Sequence, residues 1–223
     1  MNQLASIGGG RVADETAVVL WGDHGFHVGD HGMWGKHTNL ENGARMPLII
    51  VPPGGSAVRR VDSPVELIDV FPTLVTLAGL PMPAQLQGRS LQPLLTGALT
   101  AVHEGAITLN DAWWATSGGG WPRARPVNAR ALGYSYRTER YRYTQWVRYV
   151  QRSQHGGNTS EDKLAGWSAI GVDAGVTLFD YEADPTETNN IAGEAESAEV
   201  VRRLGTALLR DCIGCERLLH GIA

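Results

Sequence analysis

Cysteine is nearly missing from this chain: there are two in 223 residues, Cys212 and Cys215, in the closing segment CIGC. One pair of that spacing cannot supply a four-thiolate zinc site, which needs two, and it builds no disulfide framework. A C-x-x-C beside a βαβ pattern can be redox-active. This pair instead follows a helical segment and reads as two incidental thiols near a terminus. Long apolar runs are missing too, since none approaches the roughly 20 residues that a membrane helix needs. Excess positive charge is absent: a formal charge of -4 and a pI near 6.0 argue against nucleic acid or an anionic membrane as partner. The opening MNQLASIGGG has neither the basic n-region nor the apolar core of a secretory signal. No G-x-S-x-G elbow for a nucleophilic serine occurs anywhere.

What remains is an ordinary globular composition, 43% hydrophobic and 19% charged, in a chain long enough for one large domain or one and a half. Within it, LWGDHGFHVGDHGMWGKH, residues 20 to 37, places four histidines, two aspartates and a lysine among five glycines. The apolar run Thr16 to Trp21 precedes it and reads as a short strand buried on both faces, ended by Gly22. Asp23 and His24 follow at once, at the carboxyl end of a strand, where ligands of open α/β sheets sit.

A second buried strand is predicted over Leu48 to Val51, between Pro47 and the PPGG turn. Ser63 as N-cap, Pro64 in the first turn and Glu66 completing a capping box predict a helix that stops at Gly79. Pro72 inside it predicts a break into two short helices. Beyond about residue 110 the character changes. Tyr134 to Thr138 and Tyr141 to Trp146 alternate about Glu139-Arg140 as an antiparallel hairpin, VTLFDY (176 to 181) offers a third strand, and residues 194 to 211 form a surface helix. The order predicts an α/β portion over residues 1–109 and a smaller α+β unit over 110–223. From 121 to 152 there are eight arginines and one acid. That cluster is either a hairpin with arginines outward and tyrosines inward or a basic wall facing a small anion.

The spacing of His27 and His31 superficially resembles a zinc-peptidase pair. Gly25, Gly29 and Gly32 oppose the helix that such a pair needs, and Val28 stands where its glutamate base would be. Asp23 and His24 instead suit a divalent cation, as one hard oxygen and one nitrogen, too few to hold it alone. Lys36, on a glycine-flanked loop, is a compact charge suited to a sulfate or phosphate oxygen.

At these residues the chain resembles the sulfatase family. GDHG-x-x-x-G-x-HG-x-W-x-K followed by R-x-PLII is similar to its C-terminal metal-binding segment, with iduronate-2-sulfatase-like enzymes nearest in pattern. ELIDVFPTLVTLAGLPMP, GYSYRTERYRYTQWV and LFDYEADPTETNNIA resemble later family segments in the same order, so the resemblance spans roughly residues 14 to 195. It implies the C-terminal part of an alkaline-phosphatase-like α/β/α sandwich, followed by a small α+β subdomain with an antiparallel sheet. It also implies hydrolysis of a small anionic sulfate ester by Ca2+ and a formylglycine. On that pattern Asp23 and His24 match two calcium ligands and Lys36 the sulfate-binding lysine, while His31 and His37 lie close enough to shape the pocket.

The formylglycine motif C/S-x-P-S/A-R is not in this sequence, and neither are the paired aspartates that complete the family's calcium site. The expectation is therefore a C-terminal portion with half a site, inactive without a missing N-terminal part, its Met1 lying inside a longer enzyme. A metal-plus-lysine site does not choose sulfur over phosphorus. A fragment of a phosphatase, phosphodiesterase or phosphonate monoester hydrolase thus stays open, as does a non-catalytic metal- or anion-binding module.

Overall fold

The computed structural model describes residues 11–55, 57–111, 129–151, 167–171 and 175–212. Within these, the chain divides into two units. The first comprises the residues up to Asp23 with Met46–Ala106; the second comprises His24–Arg45 with the residues from Ile107 onward. No helix among the described residues is long and apolar enough to cross a membrane.

The first unit opens with α1 (Arg11–Asp14) and β1 (Val18–Trp21). β1 pairs in antiparallel register with β4 (Leu48–Val51), Val18 opposite Val51 and Trp21 opposite Leu48. The Gly22 amide extends the ladder to the Pro47 carbonyl at 3.1 Å. Both strands lie where their apolar runs place them. Their expected burial on both faces is not met: Leu20 is 61% exposed, Trp21 50% and Ile49 49%. Among the described residues the two strands form a sheet of their own.

The helix after β4 begins differently from the sequence expectation. A 3-10 turn over Leu67–Asp69 leads into α3 (Val70–Leu77), after α2 (Glu41–Ala44) of the second unit. The cap is Glu66, not Ser63, and the reciprocal capping box joins Glu66 to Asp69. Pro72 consequently falls in the first turn of α3, where a missing N–H costs no helical bond, and no break occurs there. Gly79 closes the helix as expected, with φ 64°. Its amide bonds Thr76 and that of Leu80 bonds Val75, both at 3.1 Å, which is a Schellman stop. Helix α4 (Gln92–Thr96) packs Leu94 inward.

The second unit holds a five-stranded sheet with β5 (Gly105–Asp111), β6 (Ala129–Thr138), β7 (Tyr141–Gln151), β8 (Trp167–Gly171) and β9 (Val176–Asp180), in which β7 runs antiparallel to β6, β8 and β9. β6 and β7 form the expected hairpin, joined by Glu139-Arg140, with Arg137 opposite Arg142 and Tyr136 opposite Tyr143. The other edge of β7 is shared: β9 pairs with Tyr141 to Gln145, and β8 with Arg148 to Gln151. Alternation then assigns the faces. Tyr134, Tyr136, Tyr143, Val147 and Leu178 meet Leu204, Ala207 and Leu208 of the C-terminal helix α5 (Ala198–Asp211), forming the core of this unit. The opposite face carries Gly133, Ser135, Arg137 and Arg142, and segment 24–45 packs on it. The tyrosines point inward as expected. The arginines whose side chains are described are not an outward row, because Arg142 is buried. Cys212, at the end of α5, is disulfide-bonded rather than a free thiol.

Candidate functional site

The histidine loop is a two-stranded ribbon, β2 (His27–Val28) against β3 (Trp34–Gly35), closed by a tight turn over Asp30–Gly32. Gly29, at φ 115°, lets the chain reverse there. His31 takes the left-handed conformation too, at φ 53°, which is uncommon for a residue with a Cβ. Two further glycines are needed for close approach. A Cβ on Gly25 would lie 2.0 Å from the Asn42 carbonyl oxygen, and one on Gly43 would lie 2.7 Å from Thr38 Oγ1.

Of the residues expected to carry chemistry, the fold brings Lys36 and His24 together across the ribbon. Lys36 Nζ donates to His24 Nε2 at 2.6 Å, and His24 Nδ1 donates to the Gly25 carbonyl. These two partners require the Nδ1–H tautomer, leaving the Nε2 lone pair turned toward the lysine. A neutral imidazole whose other nitrogen is tied to a carbonyl is the form that ligates metals. His24 therefore fits a ligand role, with the Lys36 ammonium in competition for the same lone pair. Asp23 is exposed and is the last residue of the first unit, whereas His24 is the first of the second. His31 and His37 are exposed; the His31 ring stands edge-on to His27, with centroids 6.0 Å apart.

His27 has a role that the sequence did not reveal. It is fully buried, its Nδ1 paired with Asp30 and its Nε2 2.7 Å from Thr38 Oγ1. Burial opposes ionisation of Asp30, but the Val28 amide and the His27 ring outweigh it and hold that carboxyl at about 2. The connectivity Asp30–His27–Thr38 imitates a hydrolase triad. Thr38 is buried, however, and the backbone at Gly43 seals its hydroxyl, so no substrate atom has room to approach. The three residues are a staple across the loop.

A second group, Glu66, Asp69 and His103, brings three possible ligand atoms within 4.8 Å of one another in the first unit. Its buried member is already bonded: Asp69 Oδ1 accepts the Arg89 amide at 2.7 Å, and Oδ2 accepts the Glu66 amide and His103 Nε2, both at 2.9 Å. That pattern ties the start of α3 to the chain after it.

Segment 24–45 is fastened to its sheet by buried charge. Arg142 Nε donates to Glu187 Oε1 at 2.6 Å and Arg142 Nη2 pairs with Glu41, while Arg137 Nε reaches Glu41 Oε2 at 3.1 Å. Burial pushes the Glu41 carboxyl up, and the two guanidiniums more than reverse this, leaving it below its ordinary value. Arg140 pairs with Asp180 and Glu182. Each arginine of the 121–152 cluster whose side chain is described thus has an acidic partner, which disfavours the basic-wall reading at those three positions. Glu41, Arg142 and Glu187 were not singled out from the sequence. Their only signal was an arginine at a position alternating with buried tyrosines.

The fold and the loop define the C-terminal portion of a sulfatase, within the alkaline-phosphatase-like enzymes. The chain belongs to the family described as N-sulphoglucosamine sulphohydrolase, C-terminal, which matches residues 29–154. It is 29% identical to arylsulfatase K of Rattus norvegicus over 184 residues, 82% of this chain and 28% of that protein. It is 26% identical to iduronate 2-sulfatase of Mus musculus over 241 aligned positions, 87% of this chain and 41% of that protein. Among solved structures, the phosphonate monoester hydrolase of Agrobacterium radiobacter superposes with a TM-score of 0.66 at 26% identity, over 94% of this chain and 37% of the other. The chain therefore spans less than half the length of these relatives.

Proposed function

We propose that this chain supplies the lysine–histidine side of a sulfate-ester hydrolysis site, and that it turns over substrate only with the rest of a longer sulfatase. The observation that carries this is the 2.6 Å contact between Lys36 Nζ and His24 Nε2, which joins the expected anion-binding residue to an expected metal ligand. Asp23 and His24 would hold Ca2+, which takes about 6–8 oxygen ligands as a rule and so needs carboxylates from outside this chain. When bound, the ion draws charge from the ester oxygens. Lys36 balances the same charge as a point cation, and His31 and His37 border the pocket. The covalent step belongs to a formylglycine outside this sequence, because no C/S-x-P-S/A-R motif is present to form one. Residues 1–109 then belong to the catalytic α/β domain and 110–223 to its smaller companion, whose sheet anchors segment 24–45.

The relatives named above favour a sulfated sugar as substrate, and the mouse relative's name favours a sulfated iduronate. A second reading, a phosphonate monoester, is favoured by the likeness to the Agrobacterium hydrolase. The test is hydrolysis of an aryl sulfate and an aryl phosphonate by the pure chain, with calcium binding followed by calorimetry. No turnover and weak calcium binding are expected. Turnover that Lys36→Ala abolishes, or submicromolar calcium affinity that Asp23→Ala abolishes, overturns the half-site.

A further inference from the structure

We propose that Arg142 is a positioning residue for the Lys36–His24 pair, acting from the sheet through Glu41 and the short helix α2. The proposal rests on the anion-site reading above. Glu41 opens α2, five residues after Lys36, and it is held from two directions. Its carboxylate meets Arg142, Arg137 and the Tyr181 hydroxyl, while its amide donates to Glu187 Oε2 at 2.7 Å. Arg142 bridges both carboxylates, and with 2% exposure it has no route to solvent. Glu187 reaches this position from a left-handed backbone, φ 55°, a conformation that a non-glycine residue keeps only where its surroundings hold it there.

Both members of the pair are seated on the helix so fixed. The amide of Gly25, next to His24, donates to the Gly43 carbonyl at 2.9 Å. The Lys36 carbonyl lies against Gly43 so closely that an added Cβ would stand 2.9 Å from its oxygen. The Thr38 amide bonds that same carbonyl at 2.9 Å, and Asn39 Nδ2 bonds the Gly133 carbonyl of β6 at 2.9 Å. A continuous path of short contacts thus runs from Arg142 to the two residues that would face the anion. Buried ion clusters add little net stability compared with apolar packing, because desolvation offsets most of the attraction. What such a cluster does supply is one fixed geometry, and a planar guanidinium forked between two carboxylates fixes it in direction as well as distance.

The experiment uses the full 223-residue chain and inorganic sulfate as probe. Nitrogen-15 signals of the His24 ring and the Lys36 ammonium are recorded at fixed pH for the parent chain, Glu41→Gln, Arg142→Lys and, as control, Arg140→Gln. Glu41→Gln is expected to keep the β6–β9 amide signals, to shift the His24 and Lys36 signals, and to weaken sulfate binding roughly tenfold, the scale of a small misplacement at a site. Arg142→Lys keeps the charge without the fork and should shift the same signals less, so it decides the matter if Glu41→Gln fails to fold. Arg140→Gln removes an ion pair from the same hairpin and should move neither signal. Unmoved His24 and Lys36 signals in a folded Glu41→Gln or Arg142→Lys protein overturn the positioning role. Sulfate that moves no signal in the parent chain overturns the anion-site reading instead, while the ring and ammonium shifts between variants still judge the positioning.

Discussion

The two sheets of this chain make opposite use of apolar residues. β1 and β4 are wholly aliphatic or aromatic, yet Leu20, Trp21 and Ile49 are left open to water, and among the described residues each of the two strands pairs only with the other. β6, β7 and β9 carry serine, threonine, glutamine and arginine among their aromatics, and Ser135, Thr138, Arg142, Thr144, Gln145 and Thr177 are all buried. One face of that larger sheet has α5 against it, and the other has segment 24–45. Coverage by a second layer, more than strand composition, decides which sheet is a core. The sheet with the more hydrophobic strands is consequently expected to be the weaker one.

The largest expected effect follows directly. Amide hydrogen exchange should give β6 and β7 protection close to the full unfolding free energy of their unit, and residues 18 to 21 and 48 to 51 far less, a gap of several kcal/mol on the scale of local opening. Equal protection of the two sets in a monomer would break the contrast, since β1 and β4 would then be self-sufficient.

Substitutions sharpen it. Arg142→Met leaves Glu187 buried without its cation and Glu41 with Arg137 alone, and should destabilise the second unit by about 3–5 kcal/mol. Leu208→Ala, which opens a cavity beneath the sheet, should cost about 2–5 kcal/mol. Leu20→Thr alters an already exposed side chain and should fall within about 0.5 kcal/mol. Denaturant unfolding followed by a probe in each unit measures all three. A cost for Leu20→Thr approaching that of Leu208→Ala would mean that the open face of β1 is covered in solution.

How far this contrast was legible in advance depended on how local its causes are. Tyr134 to Trp146 declared a hairpin because period-two alternation and a two-residue turn are written within a dozen positions. The start of α3 is ambiguous in the sequence because Ser63-Pro64-Val65-Glu66 and Glu66-Leu67-Ile68-Asp69 both satisfy a capping pattern. The Asp69 carboxylate favours the second by accepting the amide of Arg89, 20 residues away. Residue type and family pattern assign Lys36 and His24 to one candidate site without specifying a bond between them, and nothing local signals the burial of His27, since its partner Thr38 lies across the ribbon. Alternation marks Arg142 only as belonging to the face opposite the tyrosines. Nothing near it in sequence says that a segment about 100 positions earlier covers that face.

Acid should expose the same asymmetry with a smaller effect. Glu41 has its folded pKa below the unfolded value near 4.5, so the stability it contributes is present above that pH and is lost as pH falls through the lower folded value. Asp180, hydrogen-bonded by Arg140, and Asp184, whose amide and hydroxyl bonds from Thr186, Thr188 and Asn189 outweigh burial, shift in the same direction and also belong to the second unit. Stability of that unit should therefore decline below about pH 4.5, and Glu41→Gln should flatten the decline without removing it. A variant whose stability falls as steeply as the parent's would detach Glu41 from the acid response.

The smallest effect is expected two residues from the costliest substitution. Arg140, in the hairpin turn, pairs with Asp180 at 2.7 Å and with Glu182 at 3.0 Å, and its guanidinium lies 4.9 Å from the Tyr141 ring centroid. With two acidic partners it looks as well held as Arg142. Its side chain, however, is 47% exposed against 2%, so water already solvates the charge and salt screens the pairing. Removing Arg140 leaves Glu182, which is 68% exposed, to solvent, while Asp180 still accepts the Glu182 amide at 3.1 Å. Arg140→Gln should leave the unfolding midpoint unchanged within error at physiological ionic strength, with a slight loss only at low salt. A loss comparable to that of Arg142→Met would show that the number of ion-pair contacts, rather than burial of the partners left behind, governs stability on this sheet.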